Sequence, residues 1–108
     1  MYCAVYTTVA TIEDATNIGR TLVERNLVAC ANLIPQVKSI FRWHGQIEEE
    51  EEIILWCKTR TELVDQIRTT LLDIHPYDLP ALAVYPIQSG SKNYLQWIMD
   101  ETQSSKVD

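Results

Sequence analysis

The sequence predicts a single α+β domain, a split β-α-β sandwich with one additional helix at the C-terminal end. Two observations carry this. Short β-branched apolar runs alternate with segments of helical periodicity in the order β-α-β-β-α-β-α. No Pro- or Gly-rich linker divides the 108 residues, and 46% apolar content suits one domain with a modest core.

Each element has its own signal. Residues 2–9, YCAVYTTV, read as a buried strand. Thr11 and Asp14 have the spacing of a helix capping box, and Ala15, Ile18, Gly19, Leu22 and Val23 trace one helical face to about Arg25. Asn26 is a stop. Residues 28–43 form a long extended run in which Pro35 marks an edge, a bulge or a bend. In its second half Val37, Ser39, Phe41 and Trp43 alternate with Lys38, Ile40 and Arg42, so one face should be more buried. His44-Gly45-Gln46 is the turn, and residues 47–59 return as the partner strand of a long hairpin. Thr59 and Glu62 suggest a second capping box, with Leu63, Ile67, Leu71 and Ile74 on the face of the helix that follows. His75-Pro76 ends that helix, because a residue before proline is pushed out of the helical region. Residues 81–87 are a fourth strand. Ser91 is placed to cap a last helix over 92–101 with Tyr94, Leu95, Ile98 and Met99 inward.

Two βαβ-like halves joined by a hairpin make the ferredoxin-like pattern, with four strands in one antiparallel sheet and helices on one face. The domain is expected to span 1–102, with a frayed tail at 103–108. The strands are apolar on both alternations: Ile53, Leu55 and Cys57 on one side, Ile54 and Trp56 on the other. Such strands want cover on both faces, and the chain has too few helices to supply it. A homo-oligomer that buries the open face or the hairpin edges is the expected solution.

Composition excludes several classes. A net charge of −6 with scattered basic residues argues against a nucleic-acid partner. No apolar run approaches membrane-spanning length, and MYCAVYTTVA lacks the basic start of a signal peptide, so a cytoplasmic protein without a membrane role is expected. Three cysteines without a CxxC argue against a disulfide framework and a structural zinc site. No G-x-S-x-G, HExxH or phosphate-binding loop is present, so catalysis is not expected.

Five segments, LVACANLIP (27–35), SIFRWHGQIEE (39–49), CKTRTEL (57–63), HPYDLPALAVYPI (75–87) and NYLQWI (93–98), resemble in order and spacing the CutA family of divalent-cation tolerance proteins. The likeness covers roughly residues 5–99. It implies a ferredoxin-like protomer in a tight homotrimer, with hairpin strands pairing between subunits. It also implies a role in tolerance to copper or another divalent cation by binding rather than catalysis, with no organic cofactor. The architecture is similar to that of trimeric PII-type signalling proteins, so a small molecule held in an inter-subunit cleft is the alternative.

His75 is the metal-ligand candidate, since a neutral imidazole suits copper or zinc. The resemblance implies a histidine pair before Pro-Tyr and a cysteine late in the first strand; here Ile74 and Thr7 stand at those positions. The plainer reading is that His75 hydrogen-bonds locally to end its helix. Tyr77 and Asp78, in the loop between two prolines, either shape that loop or line a cleft. Of the run Glu48–Glu52, at most three carboxylates share a strand face; it is a solvated face or a weak cation attractor. Glu48, close to Trp43 and the turn, is the member singled out. The layout of the family it resembles implies that Lys58 places a positive charge near the His75 loop, where an anion or carboxylate ligand would bind. Cys30 and Cys57 are expected as core thiols, with soft-metal binding the sharper alternative. Trp43, Trp56 and Trp97 read as core and interface anchors, Trp43 also as a cleft residue.

Overall fold

A computed structural model of the chain describes residues 1–103. Strand β1 (Tyr2–Val9) leads into helix α1 (Ile12–Glu24), then strands β2 (Cys30–Trp43) and β3 (Gln46–Arg60). A 3-10 turn over Thr61–Leu63 opens helix α2 (Val64–Ile74), followed by β4 (Ala83–Pro86) and α3 (Lys92–Glu101). The sheet order is β2-β3-β1-β4, antiparallel throughout, which is the predicted ferredoxin-like arrangement. Part of the tail expected at 103–108 lies outside the described residues.

The core lies between one sheet face and the first two helices. Cys3, Val5, Val9, Ile53, Leu55 and Cys57 alternate onto that face and meet Ala15, Ile18 and Leu22 of α1 with Ile67 and Leu71 of α2. Thr11 caps α1 as its spacing predicts, accepting a 3.0 Å bond from the Asp14 amide. Gly19 lets α1 sit close to the sheet, because a β-carbon there would come within 3.2 Å of Ala31 Cβ.

Three sequence expectations need correction. Thr59 does not cap α2: β3 runs on to Arg60, and the buried Thr59 hydroxyl donates to the Leu27 carbonyl at 2.5 Å. A hydroxyl at the end of a buried strand found a backbone acceptor before the helix began. The helices do not all lie on one face. Tyr94 of α3 lies against Cys30, and Arg60 donates to the Thr102 hydroxyl at 2.8 Å. Cys30 and Arg60 belong to the alternation opposite the core, so α3 crosses to the other face and covers its Ala4–Arg60 end. The fourth strand is shorter than 81–87, because only Ala83–Pro86 pair with β1.

The β2–β3 hairpin is long and irregular at one point. Ile34 pairs with Ile54 but Val37 with Glu52, so Pro35 and Gln36 together oppose Ile53 in a β-bulge. Gln36 takes the left-handed conformation this needs, with φ of 63°. Before the bulge the even residues of β2 share the face opposite the core; after it Val37, Ser39, Phe41 and Trp43 do. At the tip His44 and Gly45 both have positive φ, 51° and 79°, between paired Trp43 and Gln46. That is the two-residue turn whose twist matches a hairpin.

Candidate functional site

The bulge and the alternation of β3 assemble a groove on the sheet face opposite the core. Its volume is about 700 Å³, and its lining includes Tyr6, Phe41, Trp43, Glu48, Glu50 and Glu52. One wall is the segment after α2, with Tyr77, Asp78 and Leu79. Four of the sequence-predicted residues, Trp43, Glu48, Tyr77 and Asp78, therefore come together in one place. Glu49 and Glu51 belong to the other face, where Glu49 pairs with Lys38 at 3.6 Å. Same-face residues on a strand stand about 6.6 Å apart. Glu48, Glu50 and Glu52 thus form a row rather than a cage.

His75 is placed beneath this wall rather than in the groove lining. It ends α2 with φ −75° and ψ 135°, the extended conformation that Pro76 imposes. β4 pairs with β1 only as far as Tyr6, so the Thr8 carbonyl is left beside it without β4 as partner. The His75 ring takes that carbonyl, Nε2 to oxygen, at 2.9 Å. Its Nδ1 accepts the Tyr77 amide at 3.1 Å. An amide N–H only donates, so the proton sits on Nε2 and the ring is neutral. Burial pushes the His75 pKa below the usual histidine value, against the opposing pull of the Thr8 bond and of the Asp14 and Glu52 carboxylates. Both ring nitrogens are engaged, so metal ligation by His75 requires breaking one of these bonds.

Tyr77 continues the chain of bonds by donating from its hydroxyl to Glu52 at 2.8 Å. Burial, then the Glu52 carboxylate, pushes the phenol well above its ordinary pKa, so it stays a donor. Lys58 stands elsewhere. It is in register with Ala4 and Cys30 and donates to the Asn32 side chain. That is four residues along β3 from Ile54, the partner of Thr8, or about 13 Å at roughly 3.3 Å per residue. Burial pushes the Cys57 thiol up to about 12, while Cys30 is half-buried against Tyr94. Among the described residues, His, Cys, Asp and Glu side chains nowhere gather in a group of three or more that could hold a metal ion.

Sequence reasoning did not single out Glu52, Phe41, Tyr6 or the Thr8 carbonyl. Alternation already put Glu52 with Glu48, and Phe41 with Trp43. The Thr8 carbonyl had no side-chain signal at all, because its availability follows from where β4 stops.

The family model described as CutA1 divalent ion tolerance protein matches residues 3–101. The chain belongs to the CutA1 family. Among curated CutA relatives, the Thermus thermophilus divalent-cation tolerance protein CutA is 37% identical over 88% of this chain and 92% of its own length. The Danio rerio Protein CutA homolog is 39% identical and human Protein CutA 38%. This chain spans only 63% and 56% of those two relatives' lengths. Solved CutA1 structures superpose closely. That of Thermus thermophilus has a TM-score of 0.93 at 36% identity, covering 95% of this chain and 100% of that one. That of Oryza sativa has 0.92 at 31%, covering 96% and 95%. The CutA1 name refers to divalent cations and denotes no catalysis. No helix among the described residues is long and apolar enough to cross a membrane.

Proposed function

We propose that this CutA1 chain acts in divalent-cation tolerance by binding the cation itself, without catalysis, as a cytoplasmic homotrimer. The observation that carries the reading is the row of Glu48 and Glu50 along the groove, with neither carboxylate in an ion pair or hydrogen bond among the described residues. Two carboxylates at strand spacing are an incomplete cation site, so the remaining donors would come from a neighbouring protomer. Three free cysteines suit a reducing compartment. Copper was the first cation expected, but its usual imidazole donor, His75, is committed to Thr8 and Tyr77. Carboxylate oxygens suit a harder ion such as Mn²⁺. Calorimetry with Cu²⁺ and with Mn²⁺, on wild type, His75→Ala and the double variant Glu48→Gln/Glu50→Gln, separates these. Loss of Mn²⁺ binding in the glutamate variant alone supports the carboxylate row; loss of Cu²⁺ binding in His75→Ala alone supports the histidine. Binding of neither ion above the level of an unrelated acidic protein would sink the reading.

A second reading, a small molecule in the inter-subunit cleft, is favoured by the aromatic lining of Tyr6, Phe41 and Trp43 and by a volume within the usual range for ligand pockets. Native mass spectrometry of the purified protein tests it: a retained organic mass supports it, and bare protein mass from gentle purification opposes it.

A further inference from the structure

The segment from Pro76 to Leu82 walls the groove and is held to the rest of the molecule at few points. Its ends are fixed. Ile74 closes α2 and packs against the core, as does Leu82 just before β4. Between them Pro76, Asp78, Leu79 and Ala81 are exposed. Pro76 and Pro80 have no N–H to donate. Among the described residues, the hydrogen bonds of this stretch are both made by Tyr77. Its amide donates to His75 Nδ1 at 3.1 Å and its hydroxyl to Glu52 at 2.8 Å. Tyr77 is thus the pin of a strap that is otherwise unbonded.

The pin hangs on a titratable ring. His75 is buried, and because Nε2 donates to the Thr8 carbonyl, Nδ1 offers a lone pair only while the ring is neutral. A proton on Nδ1 sets one N–H against the Tyr77 N–H, donor against donor. The charged ring grips Thr8 more firmly, since a charge-assisted bond is the stronger kind. Tyr77 is therefore the partner that leaves. We propose that 76–82 is a proton-operated strap: it lies along the groove while His75 is neutral and comes away, widening the groove, when Nδ1 is protonated. The strap answers to protons alone, whatever the groove holds.

The sign follows from what surrounds the ring. Asp14 of α1 and Glu52 of β3 are the carboxylates that act on it, and they favour the charged form, as does the Thr8 bond from β1. Burial opposes them and prevails, so the closed form's ring sits below the ordinary histidine value. Tyr77, on the strap itself, is pushed upward and keeps its proton. Opening admits water and returns the ring to about 6.5. The open form then binds the proton more tightly, so protons must favour opening. For one proton the open fraction rises by up to about tenfold from pH 7.5 to 5.5.

Native-state hydrogen exchange of the full chain, in EDTA and across this pH range, tests it once the intrinsic pH dependence of exchange is divided out. The Tyr77 amide should lose up to about tenfold of its protection between pH 7.5 and 5.5. Ring nitrogen-15 shifts should show Nδ1 taking its proton with the same midpoint. The Cζ carbon-13 shift of Tyr77, which reports the bond to Glu52, should move with them. Leu55, fully buried in β3, is the reference for global unfolding. In dilute urea its protection should fall while that of Tyr77 holds, the mark of a local opening. His75→Asn keeps an acceptor near the place of Nδ1 but takes up no proton, so its Tyr77 protection should be independent of pH. Where that variant fails to fold, the wild-type signals decide. Tyr77 protection that stays flat while Nδ1 titrates would overturn the strap, as would a ring that remains neutral down to pH 5.5. So would a pH response that survives in His75→Asn, or Tyr77 exchange that follows Leu55 in urea, because only global unfolding would then free the amide.

Discussion

Thr7 shows how one side chain can work against its own surroundings. It is fully buried in β1 opposite Leu55, and its hydroxyl has no hydrogen-bond partner among the described residues. A buried unmet hydroxyl costs its desolvation, and Val has nearly the same shape without it. Thr7→Val should therefore stabilise the fold by about 1 kcal/mol. A rise in the urea midpoint checks this, and a fall would mean that the hydroxyl is bonded in the assembled protein. His75 gives a pH dependence whose sign follows from its environment. Its folded-state pKa lies below the ordinary histidine value, chiefly through burial. The unfolded chain then binds the extra proton first as pH falls. The neutral ring's contribution is present above about pH 6.5 and is lost as pH drops through that value, with a slope of at most about 1.4 kcal/mol per pH unit for one proton. Urea melts between pH 7 and 5.5 should show wild type losing stability faster than His75→Asn, which has no ring to protonate. Parallel pH slopes for the two proteins would refute the linkage.

Between residue and molecule, the bulge in β2 is the decisive feature. The pairing of β2 with β3 near the core and the pairing at the two-residue turn differ by one residue, and Pro35-Gln36 absorbs the difference. Deleting Gln36 makes the two registers agree and removes a non-glycine residue at positive φ. The faces stay as they are, so the cost should be below about 1 kcal/mol. Deleting Glu51 instead widens the mismatch and turns Glu48 and Glu50 to the wrong face unless a second bulge forms. That variant should lose several kcal/mol. Denaturation midpoints of the two single deletions decide it, and equal losses would mean that register is not what the bulge serves. Much of this level was legible beforehand. Strand and helix order followed from periodicity, Pro35 announced an irregularity, and the i, i+2 spacing of Glu48, Glu50 and Glu52 announced a carboxylate row. Pro35 alone did not distinguish a bulge from a bend, because that depends on the partner's register. The bonds of His75 were hidden for a similar reason: one is to a backbone carbonyl sixty-seven positions away. The crossing of α3 to the opposite face depended on a link, 87–91, that carries no directional signal.

The whole molecule is longer than its size requires. Its Cα radius of gyration is 14.7 Å, against about 13 Å for a compact domain of this length. The excess is the hairpin, which carries the protomer to 48 Å in one direction. Ile40 and Ile47 are 64% and 59% exposed on one of its faces, and Phe41 and Trp43 line the other. β2 is also a sheet edge of fourteen residues, interrupted only by the bulge. A long, apolar, unpaired edge is an association surface unless something covers it. The homotrimer we propose would cover it, and its energetics carry a distinctive sign. Each protomer brings a net charge of −6, with five consecutive glutamates on the hairpin itself. Association then gathers like charge around an apolar contact. Salt screens the repulsion and leaves apolar burial intact. The trimer should therefore dissociate less at 0.5 M NaCl than at 0.05 M, and Ile40→Lys/Ile47→Lys should break it at any salt. Light scattering at micromolar protein, expected to give the mass of three protomers, measures both. A trimer that loosens as salt rises would place ion pairs rather than apolar surface at its interface, and a wild-type monomer would remove the trimer itself.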